Sequence, residues 1–323
     1  MTKPRTKTIL LSIVTISLLT ACGATAAAPP ADVLRLFDYD AKAPLDLQVV
    51  SSEKKDGLTF QTITYASPKG GRVPGLLIVP DGPGPFAGIL LMHGAPGTYE
   101  RMRPEAETLA RHGAVTLAIN APFSRTDESG RPVGALSLTE KDRDGQIQLI
   151  VDLRRGVDLL LARPDVDPKR LAYTGRSYGG AMGGLLAGVE KRIKAYALVV
   201  GDGGLVSHFT GADDTNGPLQ NMPAEQRKLW LAAMEPIEPI RFVGNAAPAH
   251  LLFQNGKQDN LVPPADGRAY QEAGSEPKTL LWYDAGHQLN DQATRDRHEW
   301  LAKEVGIAPP KAEEVKKEVK KGS

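Results

Sequence analysis

Six short runs of this chain are mostly apolar and lack the alternation of a strand with one wet face. They are Gly88–Met92, Ala114–Ile119, Leu171–Thr174, Ala195–Val200, His250–Phe253 and Thr279–Tyr283. Strands covered on both faces of a parallel sheet read this way. Helical stretches separate several of them: Pro104–His112, Gln146–Ala162, Tyr178–Gly188 and Pro264–Ala273. In Gln146–Ala162 the apolar stripe runs through Ile147, Ile150, Val151, Val157, Leu160 and Leu161. Strands alternating with helices imply right-handed crossovers and an α/β fold built on a doubly wound, mostly parallel sheet. Upstream, the alternating runs Thr59–Tyr65 and Val73–Val79 read as antiparallel strands. The run Pro80–Pro85 behind them is a loop.

The length of 323 residues suits one large domain of this kind, or two small ones. A net charge of +1 and 6% aromatic residues give no footprint for nucleic acid. The single cysteine, Cys22, excludes an internal disulfide framework and any multi-cysteine metal site. Lys3, Arg5 and Lys7 precede an apolar stretch, Ile9–Leu19, too short to favour a spanning helix. Residues 1–21 therefore read as an export signal. The sequence Leu19-Thr20-Ala21-Cys22 resembles a bacterial lipobox, which implies that Cys22 carries lipid and tethers an exported cell-envelope protein to a membrane. Cleavage within Ala24–Ala28, without lipid, is the alternative. Residues 22–30 form the tether, 31–308 the folded domain, and 309–323 a charged, solvated tail.

The segment from about 203 to 247 interrupts the strand–helix rhythm and holds a helical stretch, Ala224–Met234. Phe209, Leu219, Met222, Trp230, Leu231 and Met234 give it enough apolar content for a folded helical cap. A helix packed on the sheet edge fits the same pattern.

The chemistry points to Gly175-Arg176-Ser177-Tyr178-Gly179, which lies between an apolar strand and a helix of small residues. A serine on such a sharp turn presents its hydroxyl outside the sheet, and the glycines leave room for the turn. The hydroxyl needs a base, and the base needs an orienting carboxylate. In this topology the order is serine, acid, histidine, which leaves His287 and His298. His298 stands among Arg295, Asp296, Arg297 and Glu299 on what reads as the wet side of a helix over Asp291–Val305. His287 follows a strand through Asp284-Ala285-Gly286, at the carboxyl edge of the sheet where ligands of open α/β folds bind. His287 is the expected base. Asp259, in the loop beyond His250–Phe253, is the expected acid; Asp202 is its rival, and Asp284 reads as structural. The loop Met92-His93-Gly94-Ala95-Pro96-Gly97 supplies an oxyanion donor, the N–H of Ala95, beside that of Tyr178. Pro96 has no N–H to donate. His93 reads as a brace for this loop. Asp213-Asp214 reads as a solvated pair, and no metal or organic cofactor is expected.

Together, Gly175-Arg176-Ser177-Tyr178-Gly179-Gly180, His93–Gly97, Asp259-Asn260-Leu261-Val262-Pro263 and Gly286-His287 resemble the α/β-hydrolase superfamily over nearly the whole mature chain. Within it the sequence is similar to dienelactone-hydrolase-like esterases and to the catalytic domain of prolyl-oligopeptidase-type peptidases. Dienelactone hydrolases have cysteine where this chain has Ser177. The stretch ahead of the elbow is too short for the propeller of the oligopeptidases. The resemblance implies a serine esterase that acts on a small-molecule ester through an acyl-enzyme. A peptidase or acyltransferase on the same triad, or a non-catalytic binding lipoprotein on this scaffold, are the other readings. Oligomeric state is not specified by the sequence.

Overall fold

The computed structural model describes residues 28–126, 133–134, 137–206, 219 and 221–309. The signal segment, Cys22, Phe209, Asp213-Asp214 and nearly all of the charged tail lie outside the described residues.

Nine strands form one sheet: β1 (Gln48–Lys55), β2 (Leu58–Ala66), β3 (Arg72–Pro80), β4 (Phe86–Met92), β5 (Ala114–Ile119), β6 (Val166–Arg176), β7 (Ala195–Val199), β8 (His250–Gly256) and β9 (Lys278–Tyr283). Their spatial order is β1-β2-β3-β5-β4-β6-β7-β8-β9. β1, β2 and β3 pair antiparallel, and β3 joins β5 antiparallel. The six strands from β5 to β9 in that order are parallel. β5 and β7 are buried at every residue, which explains why they read as unbroken apolar runs. β1 has the opposite character. All eight of its residues are exposed, so no buried face imposed a pattern that could betray it.

Seven helices flank the sheet among the described residues: α1 (Ala31–Arg35), α2 (Arg103–Arg111), α3 (Glu140–Leu161), α4 (Tyr178–Val189), α5 (Ala224–Met234), α6 (Pro264–Ala273) and α7 (Asp291–Val305). On one face Leu153 and Leu160 of α3, Leu185 of α4, Trp230 of α5 and Tyr270 of α6 share a single apolar core. On the other, Leu109 of α2 and Trp300 and Leu301 of α7 pack against Ile89 and Leu91. Each fully buried leucine contributes about 1.5–3 kcal/mol, so the two layers hold the sheet from both sides. α3 begins seven residues before the apolar stripe does. Its first turn is polar, and the side chain of Thr139 caps it by accepting the N–H of Lys141 at 3.3 Å. The Asp142 carboxylate also takes the N–H groups of Ser137 and Leu138 at 2.7 and 2.8 Å.

Among the described residues of the 203–247 segment, α5 is followed by three short 3-10 turns ending at Asn245. It packs on α3 and α4. The Trp230 indole N–H donates to Asp142 at 2.8 Å. Glu238 accepts the N–H groups of Leu205 and Val206 at 2.5 and 2.9 Å, which fixes the entry to the segment. Among the described residues no helix is long and apolar enough to cross a membrane.

Candidate active site

Ser177 occupies the turn between β6 and α4 with φ 54° and ψ −117°. A residue with a Cβ adopts such a backbone only when its surroundings enforce it, at a cost of roughly 1–3 kcal/mol. The enforcement is visible. The Ser177 N–H donates to the Val199 carbonyl of β7 at 2.8 Å, and all of α4 from Tyr178 to Gly188 is buried. The flanking glycines are obligatory. A Cβ on Gly175 would lie 2.2 Å from the Gly179 oxygen, and one on Gly179 would lie 2.3 Å from the Met92 oxygen.

His287, in the loop after β9, brings its Nε2 to 3.0 Å from the Ser177 hydroxyl. Its Nδ1 lies 2.8 Å from Oδ2 of Asp259, in the loop after β8. An ionised carboxylate only accepts, so Nδ1 carries the proton and Nε2 accepts from the serine. The other Asp259 oxygen takes the N–H groups of Leu261 and Val262 at 2.9 and 3.0 Å. Burial works against the charge on Asp259. The hydrogen bonds from His287 and from those two amides outweigh it and hold the carboxyl below its ordinary range. Of the three acids weighed from the sequence, Asp259 meets the imidazole. Asp284 is exposed and pairs with Lys257 at 2.9 Å. Asp202 is buried beyond β7, where its charge acts on Glu238 and Tyr270.

Ala95 lies in the loop after β4 and lines the same cleft as Ser177 and His287. Tyr178 is the first residue of α4. First-turn amides point outward along the helix axis, where the dipole favours negative charge. The loop carrying Ala95 is braced by His93, which is fully buried. Its Nδ1–H donates to the Gly94 carbonyl at 2.8 Å, and its Nε2 accepts the N–H of Ala121 at 3.2 Å. Burial, reinforced by the charges of Arg125 and Arg101, lowers this imidazole to about 4, so it stays neutral. The Ser124 hydroxyl donates to the Gly97 carbonyl, and the Tyr99 N–H to the Asn120 side chain at 2.8 Å. Both tie the loop to the end of β5.

Arg176 has a role its position in the motif did not announce. Its guanidinium donates to the His287 carbonyl at 2.6 Å, to Oε1 of Gln288 at 2.8 Å and to the Gln288 carbonyl at 3.4 Å. The residue before the serine thus grips the backbone that carries the imidazole. Burial, with the charge of Arg297, lowers the guanidinium to about 10, which leaves it cationic at neutral pH.

The expectation for His298 is corrected. It is fully buried rather than on a wet face. The reason lies in a neighbouring element. Glu105 of α2 reaches α7, where its carboxylate meets Nε of Arg297 at 2.7 Å and stands 3.9 Å from Nε2 of His298. Arg297 in turn donates to Oε1 of Gln254 at 3.0 Å. A polar interface of this kind looks like solvent-facing surface in a helical projection. Burial drives the His298 imidazole down to about 3, with Arg297 adding to the effect.

The cleft in front of Ser177 encloses about 370 Å³. The oxyanion loop, the elbow and the loops after β8 and β9 form its walls, with Ala95, Arg176, Leu261, His287 and Gln288 among the lining residues. None of the described residues of the 203–247 segment lines it. No group of three or more His, Cys, Asp or Glu among the described residues could hold a metal ion.

Comparison with known proteins gives this geometry a setting. The model of the prolyl oligopeptidase family matches residues 141–306, just over half of the chain. The uncharacterized peptidase YuxL of Bacillus subtilis (strain 168) is 29% identical over 251 residues, which is 71% of this chain and 36% of that protein. The chain spans about a third to a half of the length of the curated relatives it matches. Among solved structures, an acetyl xylan esterase from Paenibacillus sp. R4 superposes with a TM-score of 0.68 at 21% identity, over 85% of this chain and 95% of that one. Acetyl xylan esterase 1 from Thermoanaerobacterium sp. JW/SL YS485 gives 0.65 at 14% identity, over 86% and 96%. Likeness at such identities is likeness of fold. A mostly parallel sheet with helices on both faces and this strand order is the α/β-hydrolase fold.

Proposed function

We propose, from the premise that this chain belongs to the prolyl oligopeptidase family, that it is a serine hydrolase cleaving carboxylic esters through an acyl-enzyme. The observation that supports this most is the hydrogen-bonded series from the Ser177 hydroxyl through His287 to Asp259. In this reading Ser177 attacks the ester carbonyl while Nε2 of His287 takes its proton. The carbonyl oxygen becomes an anion facing the N–H groups of Ala95 and Tyr178. One such donor is worth about 3 kcal/mol to the transition state. The imidazolium then protonates the leaving alcohol. Water repeats the sequence on the acyl-enzyme, releasing the acid and restoring the serine. Asp259 keeps the proton on Nδ1 and steadies the cation that forms.

A cleft of about 370 Å³ is at the small end of ligand pockets, which favours a small ester. The fold is shared with two acetyl xylan esterases. The second reading, a peptidase on the same triad, draws on the family and on the relative that is called a peptidase. A fluorophosphonate probe and a substrate panel separate these readings. The expected result is a label on wild-type protein that is lost in Ser177→Ala. Turnover of 4-nitrophenyl acetate should exceed that of peptide anilides and vanish in the same variant. Labelling of Ser177→Ala, or no ester turnover by labelled wild type, overturns the proposal. Upstream, we read Cys22 as the lipid-bearing residue that holds the domain at a membrane of the cell envelope.

A further inference from the structure

We infer that the cleft selects esters carrying a carboxylate, and that Arg101 is the residue that receives it. The inference deepens the hydrolase reading and rests on it.

Arg101 stands on the 3-10 turn Tyr99–Met102, directly after the oxyanion loop, and lines the cleft together with Ser177 and Arg176. Two arginines therefore line one small space. No aspartate or glutamate is among the described lining residues. This is a local property, because the whole chain carries a net charge of only +1.

Neither cation is neutralised by an ion pair to another described residue. Glu100 is the acid adjacent to Arg101, and its two oxygens go to Arg103 at 2.6 and 2.8 Å. The Arg101 side chain makes no hydrogen bond or salt bridge within the described residues. Arg176 donates to the uncharged oxygens of His287 and Gln288, which fixes its position; Glu105 and Asp259 offset part of its charge from a distance, without an ion pair. An unpartnered arginine on an outer face would be a solvated side chain and nothing more. Arg101 is exposed, and the surface on which it is exposed is the wall of the space in which the ester must lie. Its charge is also felt at the oxyanion loop, where it helps to keep His93 neutral.

The chemistry of the ligand follows. A guanidinium presents a planar fork of N–H donors that matches the two oxygens of a carboxylate. A partly enclosed cleft strengthens that attraction over its value in open water. A space of about 370 Å³ is roughly 9 Å across if taken as a sphere. An ester carbonyl at Ser177 and a carboxylate on the same small molecule fit within it together.

The test compares carboxylate esters with neutral isosteres. 3-Acetoxybenzoate against 3-acetoxybenzamide puts the charge on the leaving alcohol. Monomethyl glutarate against methyl glutaramate puts it on the acyl group. For at least one pair, kcat/KM of wild type should favour the carboxylate by about tenfold or more at low ionic strength. That ratio should fall toward unity in Arg101→Gln and in about 0.5 M NaCl, and Arg101→Lys should retain part of it. Circular dichroism verifies that the variants are folded. Ratios at or below unity for both pairs in wild type overturn the inference, as does a preference that Arg101→Gln leaves intact. In those cases the amide esters are still hydrolysed and the hydrolase reading stands. If none of the four esters is turned over by folded wild type, that reading fails and this inference with it.

Discussion

Arg176→Met is the substitution that most directly tests how the site is held together. Methionine keeps much of the aliphatic stem and removes the guanidinium. Two well-formed hydrogen bonds to the histidine loop are lost, those of 2.6 Å to the His287 carbonyl and 2.8 Å to Gln288. The third, at 3.4 Å, is at the limit of useful geometry and counts for little. Hydrogen bonds from a charged donor are worth about 1.5–3 kcal/mol each. Part of that is offset, because the substitution also removes the cost of burying the cation. A net loss near 2 kcal/mol is expected, which lowers the melting temperature by roughly 3–4 °C in a domain of this size. The effect on rate comes from position rather than charge. The His287 side chain makes a 3.0 Å contact to Ser177 and a 2.8 Å contact to Asp259 at once, and a displacement of about 1 Å in such an arrangement costs up to 100-fold. With 4-nitrophenyl acetate, kcat should fall about 10- to 100-fold with KM little changed. Fluorophosphonate labelling should slow in parallel, and Arg176→Lys should recover part of the rate by restoring one donor. A folded Arg176→Met protein with kcat within about threefold of wild type would refute the clamp. So would a rise in KM at constant kcat, because it would make Arg176 a contact for neutral substrate rather than a support for the base.

Two further outcomes follow from the fold. At position 177, glycine should melt higher than alanine, by about 1 kcal/mol after allowance for the extra freedom of glycine in the unfolded chain, because only alanine retains the Cβ at φ 54°. Equal melting temperatures for the two inactive variants would mean the elbow is not strained. Glu238 gives a pH dependence. Burial, with the nearby charge of Asp202, raises its carboxyl from 4.5 to about 7, against the pull of the Leu205 and Val206 amides and of Arg241. The folded protein therefore holds a proton that the unfolded chain releases near 4.5. This contribution to stability is complete below 4.5 and is lost as pH rises through 7, by about 3 kcal/mol at most. Urea titrations at pH 5 and pH 8 should show that loss in wild type and much less of it in Glu238→Gln. An identical pH dependence in the two proteins would refute the assignment.

The parallel sheet was legible because burial on both faces leaves a mark in the sequence. Leu171–Thr174 and Ala195–Val200 could not be anything wet, and Ser177, Asp259 and His287 could be assigned to loops simply because they follow such runs. What pattern could not disclose is what depends on a partner distant in sequence. His298 looked exposed because Arg297 and Glu299 flank it. Its burial needs Glu105, nearly two hundred residues away, to make a polar helix face an interior one. β1 was silent for the opposite reason, since an edge strand exposed at every residue has no face to conserve its period.

The same distinction explains why the reacting groups were easier to find than their supports. Chemistry restricts a nucleophile, a base and an acid to a few residue types, and topology restricts them to strand ends. A support has no such signature. Of the two well-formed contacts of Arg176, one is to the side chain of Gln288 and the other to a carbonyl that any residue at 287 would possess, so nothing in the identity of residue 287 advertises the grip on it. His93 acts through two backbone groups in the same way. Both replace the backbone contacts that a loop, unlike a helix or a strand, does not supply for itself. A site assembled from loops needs such side-chain-to-backbone bonds wherever a reacting group must be held to a fraction of an ångström. Disorder introduced at Arg176 should therefore reach the chemistry while leaving the sheet intact.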